Sequence, residues 1–178
     1  MKRAHAWLAM TGAPVIAAGV IAAAASLGVG RGSTAAGSRP STSARMVCSP
    51  AGQQDIAGVL GASTTAPVVP TWSDHLYSCA YTYAQGRLLL SVKELATAAS
   101  TTAFFTSMQA RVGAGSDVAG IGQAAYQGGD GSVLVRKDLK VLIVDVSGLP
   151  PRIGAPPLDR ATAALNVAAA VMGCWSGG

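Results

Sequence analysis

Residues 132–146 read Ser-Val-Leu-Val-Arg-Lys-Asp-Leu-Lys-Val-Leu-Ile-Val-Asp-Val. Two runs rich in Val, Leu and Ile, 132–136 and 140–146, flank Lys137-Asp138-Leu139, a polar break with room only for a turn. Branched aliphatic side chains fit a pleated, half-buried surface, and strands joined by so short a turn pair antiparallel. Val141-Leu142-Ile143-Val144 does not alternate. Successive strand side chains point to opposite faces, so this run needs cover on both. The second strand is therefore expected at the centre of a sheet, with Ile143 buried beneath a helix.

Working outward, Leu76 to Ala84 alternates, with Tyr77, Cys79, Tyr81 and Tyr83 on one side and Ser78, Ala80 and Thr82 on the other. Gln85-Gly86 can turn the chain, and Leu88, Leu90 and Val92 line the next strand, so the pair reads as a hairpin. Gln123 to Gln127 is a shorter strand, followed by a Gly128-Gly129-Asp130-Gly131 turn. Three helices complete the pattern. Ser49-Pro50 is a cap followed by proline, with Ile56, Val59 and Leu60 on one face and Gly61 as the stop. Thr97 to Val112 carries a Phe104, Phe105, Met108, Val112 stripe, with Gln109 and Arg111 off it. Leu158 to Met172 carries Leu158, Ala161, Leu165, Ala168 and Met172, with Asp159 in the first turn. Thr64 to Ser73, with Pro67 and Pro70, reads as a loop or an irregular edge, and Pro150, Pro151, Pro156 and Pro157 mark another loop. The order is α-β-β-α-β-β-β-α: an α+β domain with a five-stranded antiparallel sheet packed with helices.

The chain has 178 residues, 12% of them Asp, Glu, Lys or Arg. That length and low charge fit one globular domain and exclude a charge-rich disordered protein. The formal charge is +5, but Lys2, Arg3 and Arg31 belong to an N-terminal segment, and no basic run remains that would hold a phosphate backbone. Nucleic acid is therefore not an expected partner. Lys2-Arg3 precedes Ala4 to Gly30, which has no formal charge and is most apolar from Val15 to Val29. This is the layout of an export signal, either cleaved, for instance after Ala36, or retained as a membrane anchor. Residues 1–30 are thus a signal peptide or signal anchor. Residues 31–47, dominated by Ser, Thr, Gly and Ala, read as a disordered linker, and 48–178 as an extracytoplasmic domain. Cys48 lies too far beyond Val29, behind Arg45-Met46-Val47, to be a lipid-attachment cysteine.

Cys48 ahead of a helix ending Val59-Leu60-Gly61, followed by Ser78-Cys79-Ala80-Tyr81, resembles small actinobacterial cell-envelope proteins of unknown function, many of them lipoproteins. The segments 118–126, Val133-Leu134-Val135-Arg136-Lys137 and 141–146 are similar to their second half. The resemblance implies an α/β sandwich like that of the PsbP photosystem protein, and an envelope accessory or ligand-binding role without catalytic residues. It departs in lacking a lipid-carrying cysteine and in having Cys174 beyond the two cysteines expected.

Three cysteines allow three pairings. Cys48–Cys79 is favoured because it would pin the first helix to the tyrosine-bearing strand. Cys174 remains a spare thiol, an intermolecular partner, or the true partner of one of the others. Gly120-Ile121-Gly122-Gln123-Ala124-Ala125 fits a dinucleotide pattern. It lacks the preceding strand and following helix that such a site needs, so a tight loop entering a strand is expected and no cofactor. His75 is the one histidine after the N-terminal segment, beside Asp74, and no Gly-x-Ser-x-Gly accompanies it. The Gly128–Gly131 loop has one acid, too few ligands for calcium. Asp145, inside an apolar strand, is the acid that stands out as half-buried. No catalytic or metal residue is assigned. The candidate ligand surface is aromatic: Trp72, Tyr77, Tyr81, Tyr83 and Tyr126, with the domain core as the competing role. The function expected is a non-enzymatic binding or accessory module for an envelope protein or small ligand. Its alternatives are a hydrolase, or a structural component dimerised through Cys174.

Overall fold

The computed structural model describes residues 39–175. The expected export segment, residues 1–30, lies outside them. The helices are α1 (Thr42–Met46), α2 (Pro50–Leu60), α3 (Ala98–Val112) and α4 (Arg160–Cys174). The strands are β1 (Pro70–Ser73), β2 (Leu76–Tyr83), β3 (Gly86–Glu94), β4 (Ser116–Val118), β5 (Ala124–Gln127), β6 (Val133–Lys137), β7 (Lys140–Asp145), β8 (Arg152–Ile153) and β9 (Leu158–Asp159).

The sheet has seven strands rather than five, in the order β1-β2-β3-β7-β6-β5-β4, antiparallel throughout. The extra two are its edges. β1 comes from the proline-bearing stretch and β4 is three residues long, so neither shows the alternation by which a strand is recognised. A missing N–H at Pro70 and the brevity of β4 both blunt the edges against pairing with other chains. Two meanders, β1–β2–β3 and β4–β5–β6–β7, are joined by α3, and their pairing through β3 and β7 places β7 fourth of seven, at the centre. A further two-stranded ladder, β8–β9, falls in the proline-rich loop.

Ser49 caps α2 by accepting from the Gly52 N–H at 3.1 Å, with Pro50 in the first turn. Thr97 and Ser100 form a reciprocal capping box on α3. Asp159 proves to be the cap of α4, not part of its first turn, and accepts from the Thr162 N–H at 2.9 Å. The segment 39–47 is not a linker. Ser41 caps α1, Ala44 and Val47 are fully buried, and the Ser41 N–H donates to the buried Glu94 carboxylate at 3.0 Å. Small, polar composition concealed a capped turn of helix there.

One face of the sheet carries the main core. Tyr77, Cys79, Tyr81 and Tyr83 of β2, Leu88, Leu90 and Val92 of β3, and Leu142 and Val144 of β7 pack with Ile56 and Leu60 of α2 and Val167 and Ala168 of α4. The buried face of α4 is Ala163, Ala164, Val167, Ala168 and Val171, which shares Ala168 with the expected stripe but is rotated from its other members, Leu158, Ala161, Leu165 and Met172, which are half-buried. The small side chains let α4 lie close to the sheet and to α2. The opposite face carries a smaller cluster in which Phe105 and Val112 of α3 cover Leu134 and Val141.

Candidate functional site

The expected aromatic surface divides between the two faces. The even-numbered residues of β2 are half-buried and its odd-numbered residues buried, so Tyr77, Tyr81 and Tyr83 are core residues and not a ligand surface. The Tyr81 hydroxyl donates to the Val47 carbonyl at 2.6 Å. Burial raises the pKa of both Tyr81 and Tyr83, the latter to about 12. Trp72 sits opposite Tyr77 in register, half-buried against the same core, with His75 edge-on at 5.8 Å. Tyr126 is on the other face, packed against the smaller cluster, and donates to the Gly113 carbonyl at 3.1 Å.

Cys48 and Cys79 form a disulfide, Cα to Cα 5.9 Å, tying the start of α2 to β2. Cys174 is free, and its thiol donates to Asp55 Oδ2 at 3.2 Å. Asp74 and His75 are the two loop residues of the β1–β2 hairpin, both at positive φ (48° and 54°). The Asp74 carboxylate is taken up by Lys93 Nζ at 2.8 Å, which holds its pKa below the usual carboxylate value. Gly120 and Gly122, at φ 81° and 63°, lead into β5 and not into a helix. A Cβ at Gly122 would meet Val135 Cγ1 at 2.5 Å, so the glycine serves packing against β6. Among the described residues no three His, Cys, Asp or Glu side chains gather as metal ligands.

What the fold does create lies on the α3 side of the sheet. On that face the register sets Leu76 beside Lys93, Ser78 beside Ser91 and Ala80 beside Leu89. It continues with Leu89 beside Asp145 and Ser91 beside Ile143. A helix is about 10 Å across and strands are about 4.8 Å apart, so one helix covers about two strands. α3 rests mainly on β6 and β7 and meets the β2–β3 part of the face only at its margin, where Phe104 and Met108 stand beside Leu76, Leu89, Ser91 and Lys93. The step at its margin is a groove of about 480 Å³. Leu76, Leu89 and Ile143 form an apolar floor, Phe104 and Met108 the wall, and Lys93, Arg111 and Asp145 the polar groups. A second hollow of about 240 Å³ shares Met108, Arg111, Ile143 and Asp145 with it, and adds Asp130, Ser132 and Ser147. Lys93 Nζ lies 6.0 Å from the Phe104 ring centroid, and Ser78 and Ser91 share a 2.8 Å hydroxyl hydrogen bond on the floor.

Of these residues, sequence reading singled out Asp145 as half-buried and the Phe104–Met108 stripe as a covering face. It passed over Leu89, Ser91 and Lys93, the face of β3 opposite its apolar one. The available signal was the mixed character of that face, an aliphatic, a hydroxyl and a cation in alternate positions, which suits neither a dry core nor a fully solvated surface. No family model, curated protein or solved structure matches the chain.

Proposed function

We propose that the chain is an exported or membrane-tethered cell-envelope protein whose folded domain is a non-enzymatic binding module, with the groove beside α3 as its ligand site. The observation that carries the reading is the half-covered sheet face. Apolar side chains beside a few fixed polar groups, in a concavity of about 480 Å³, have the size and lining of a small-molecule site. Export is supported by Lys2-Arg3 ahead of an uncharged apolar stretch. The Cys48–Cys79 disulfide suits an oxidising compartment outside the cytoplasm. The resemblance to actinobacterial envelope proteins points the same way.

The test is a screen of small envelope-type molecules by thermal shift on the full chain and on Leu89→Trp, which places an indole over the groove floor. Ligands that stabilise the parent by mass action and lose that effect in Leu89→Trp support the reading. Ligands that stabilise both proteins equally overturn it. A reporter fused after Gly178 should be active only outside the cytoplasm.

A further inference from the structure

The two ends of the groove differ in how their charges are satisfied. At one end Lys93 and Asp74 hold one another in an ion pair, and Lys93 also donates to the Asp74 carbonyl. At the other end, Arg111 of α3 and Asp145 of β7 line both the groove and the hollow that continues it. Among the described residues the one ion pair is Lys93–Asp74, so Arg111 and Asp145 are not paired with each other, and the Arg111 guanidinium makes no hydrogen bond. Asp145 uses only Oδ1, which accepts from the Ser147 N–H at 2.9 Å and its hydroxyl at 2.6 Å, leaving Oδ2 open. Asp130, the other acid of the hollow, has both oxygens occupied by Ser132, at 2.8 and 3.0 Å.

An apolar trough therefore ends at one unpaired cation and one half-occupied anion. Leu89, opposite Asp145, and Lys93 are four residues apart on β3, so the trough runs about 13 Å at ~3.3 Å per residue. A cationic ligand would meet Arg111 and an anionic one Asp145, each with a like charge. An uncharged head would leave both groups unanswered. Only a ligand carrying both signs complements the pair.

We propose that the groove takes a single-chain zwitterionic amphiphile. Its anionic group lies on Arg111, its ammonium on Asp145 Oδ2, and its apolar chain on Ile143, Leu89 and Leu76 along the Phe104–Met108 wall. This rests on the groove being the binding site proposed above, and adds the ligand's chemistry.

The experiment is calorimetric titration of the full chain, below micelle-forming concentrations, with four twelve-carbon probes: dodecylphosphocholine, dodecyl maltoside, dodecyltrimethylammonium and laurate. Dodecylphosphocholine is expected to bind at least about tenfold more tightly than the other three. Arg111→Gln and Asp145→Asn should each weaken it about tenfold, the first by losing a charge-assisted hydrogen bond to the phosphate and the second by losing the ionic contact with the quaternary ammonium, which has no N–H to donate. Arg111→Gln should favour the cationic probe and Asp145→Asn the anionic one. Arg111 is exposed, and Asn keeps the acceptor for Ser147, so both variants should melt with the parent. Four probes binding alike, with both variants indifferent, would overturn the zwitterion while leaving the groove in place if Leu89→Trp abolishes binding. Binding unchanged in Leu89→Trp would overturn both.

Discussion

Val47 and Cys48 anchor the start of the domain through consecutive groups. Tyr81 donates to the carbonyl of the first, and Cys79 is bonded to the sulfur of the second. The bridge spans 31 residues, for which the chain-entropy account gives about 3–4 kcal/mol. Cys79→Ser should lower unfolding stability by about that much in a denaturant titration. Cys174→Ser should change it by less than about 0.5 kcal/mol, because serine can still donate to the Asp55 carboxylate. The same hydrogen bond raises the pKa of the Cys174 thiol, keeping it protonated beyond its ordinary range. Alkylation of Cys174 at mildly alkaline pH should accordingly be slower in the folded protein than in the unfolded chain, and equal rates would show that the Asp55 contact is not held in solution.

At the scale of the element, β2 shows how alternation and context combine. Its period was legible in the sequence, and so was the sharing of one side by Tyr77, Cys79, Tyr81 and Tyr83. The sequence favoured the tyrosine side for the core, with Ser78 on the polar side, but left a ligand surface open as well, because tyrosine suits a wet surface as well as a dry one. The hydrogen bond from Tyr81 to Val47 and the helices packed over the sheet decide it. The consequence is alkaline lability. Tyr83 keeps its proton to about pH 12 in the fold, and Tyr81 is raised as well, whereas in the unfolded chain both lose theirs near pH 10. Above pH 10 the unfolded state therefore binds fewer protons than the native one, and stability falls as pH rises. Each tyrosine contributes about 1.4 kcal/mol per pH unit. A denaturant midpoint measured from pH 9 to 11.5 should drop steeply in the parent and less steeply in Tyr83→Phe.

For the whole molecule, the unequal cover of the two sheet faces is the feature from which both stability and the candidate site follow. Seven strands at about 4.8 Å spacing span about 29 Å, more than α3 alone can shield. The central strand β7 feels both situations. Leu142 and Val144 are fully buried beneath α2 and α4, Val141 is fully buried beneath α3, and Ile143, expected to be buried, is half-buried on the groove floor. Leu142→Ala should cost about 2–5 kcal/mol, and Ile143→Ala clearly less, since part of its surface already meets solvent. Equal losses in chemical denaturation would mean that the groove is closed in solution and that α3 covers more of the sheet than it does here.

The sequence by itself determined the three longer helices, the strands β2, β3, β5, β6 and β7 and the central place of Lys140–Asp145, and it favoured the Cys48–Cys79 disulfide among three pairings. Each rests on local signals: a cap, a period, a turn or a pair of cysteines placed to bridge helix and strand. Only the tertiary structure decided the two edge strands, the helix inside the apparent linker, the rotation of α4 and the groove. The short helix depends on a partner far along the chain, Glu94 for Ser41, and the edge strands, though each pairs with its neighbour in sequence, carry no alternation of their own to announce it. The face α4 buries depends on how closely its alanines let it approach. The groove depends on a count no single segment carries, the width of the assembled sheet against the width of the one helix laid across its second face.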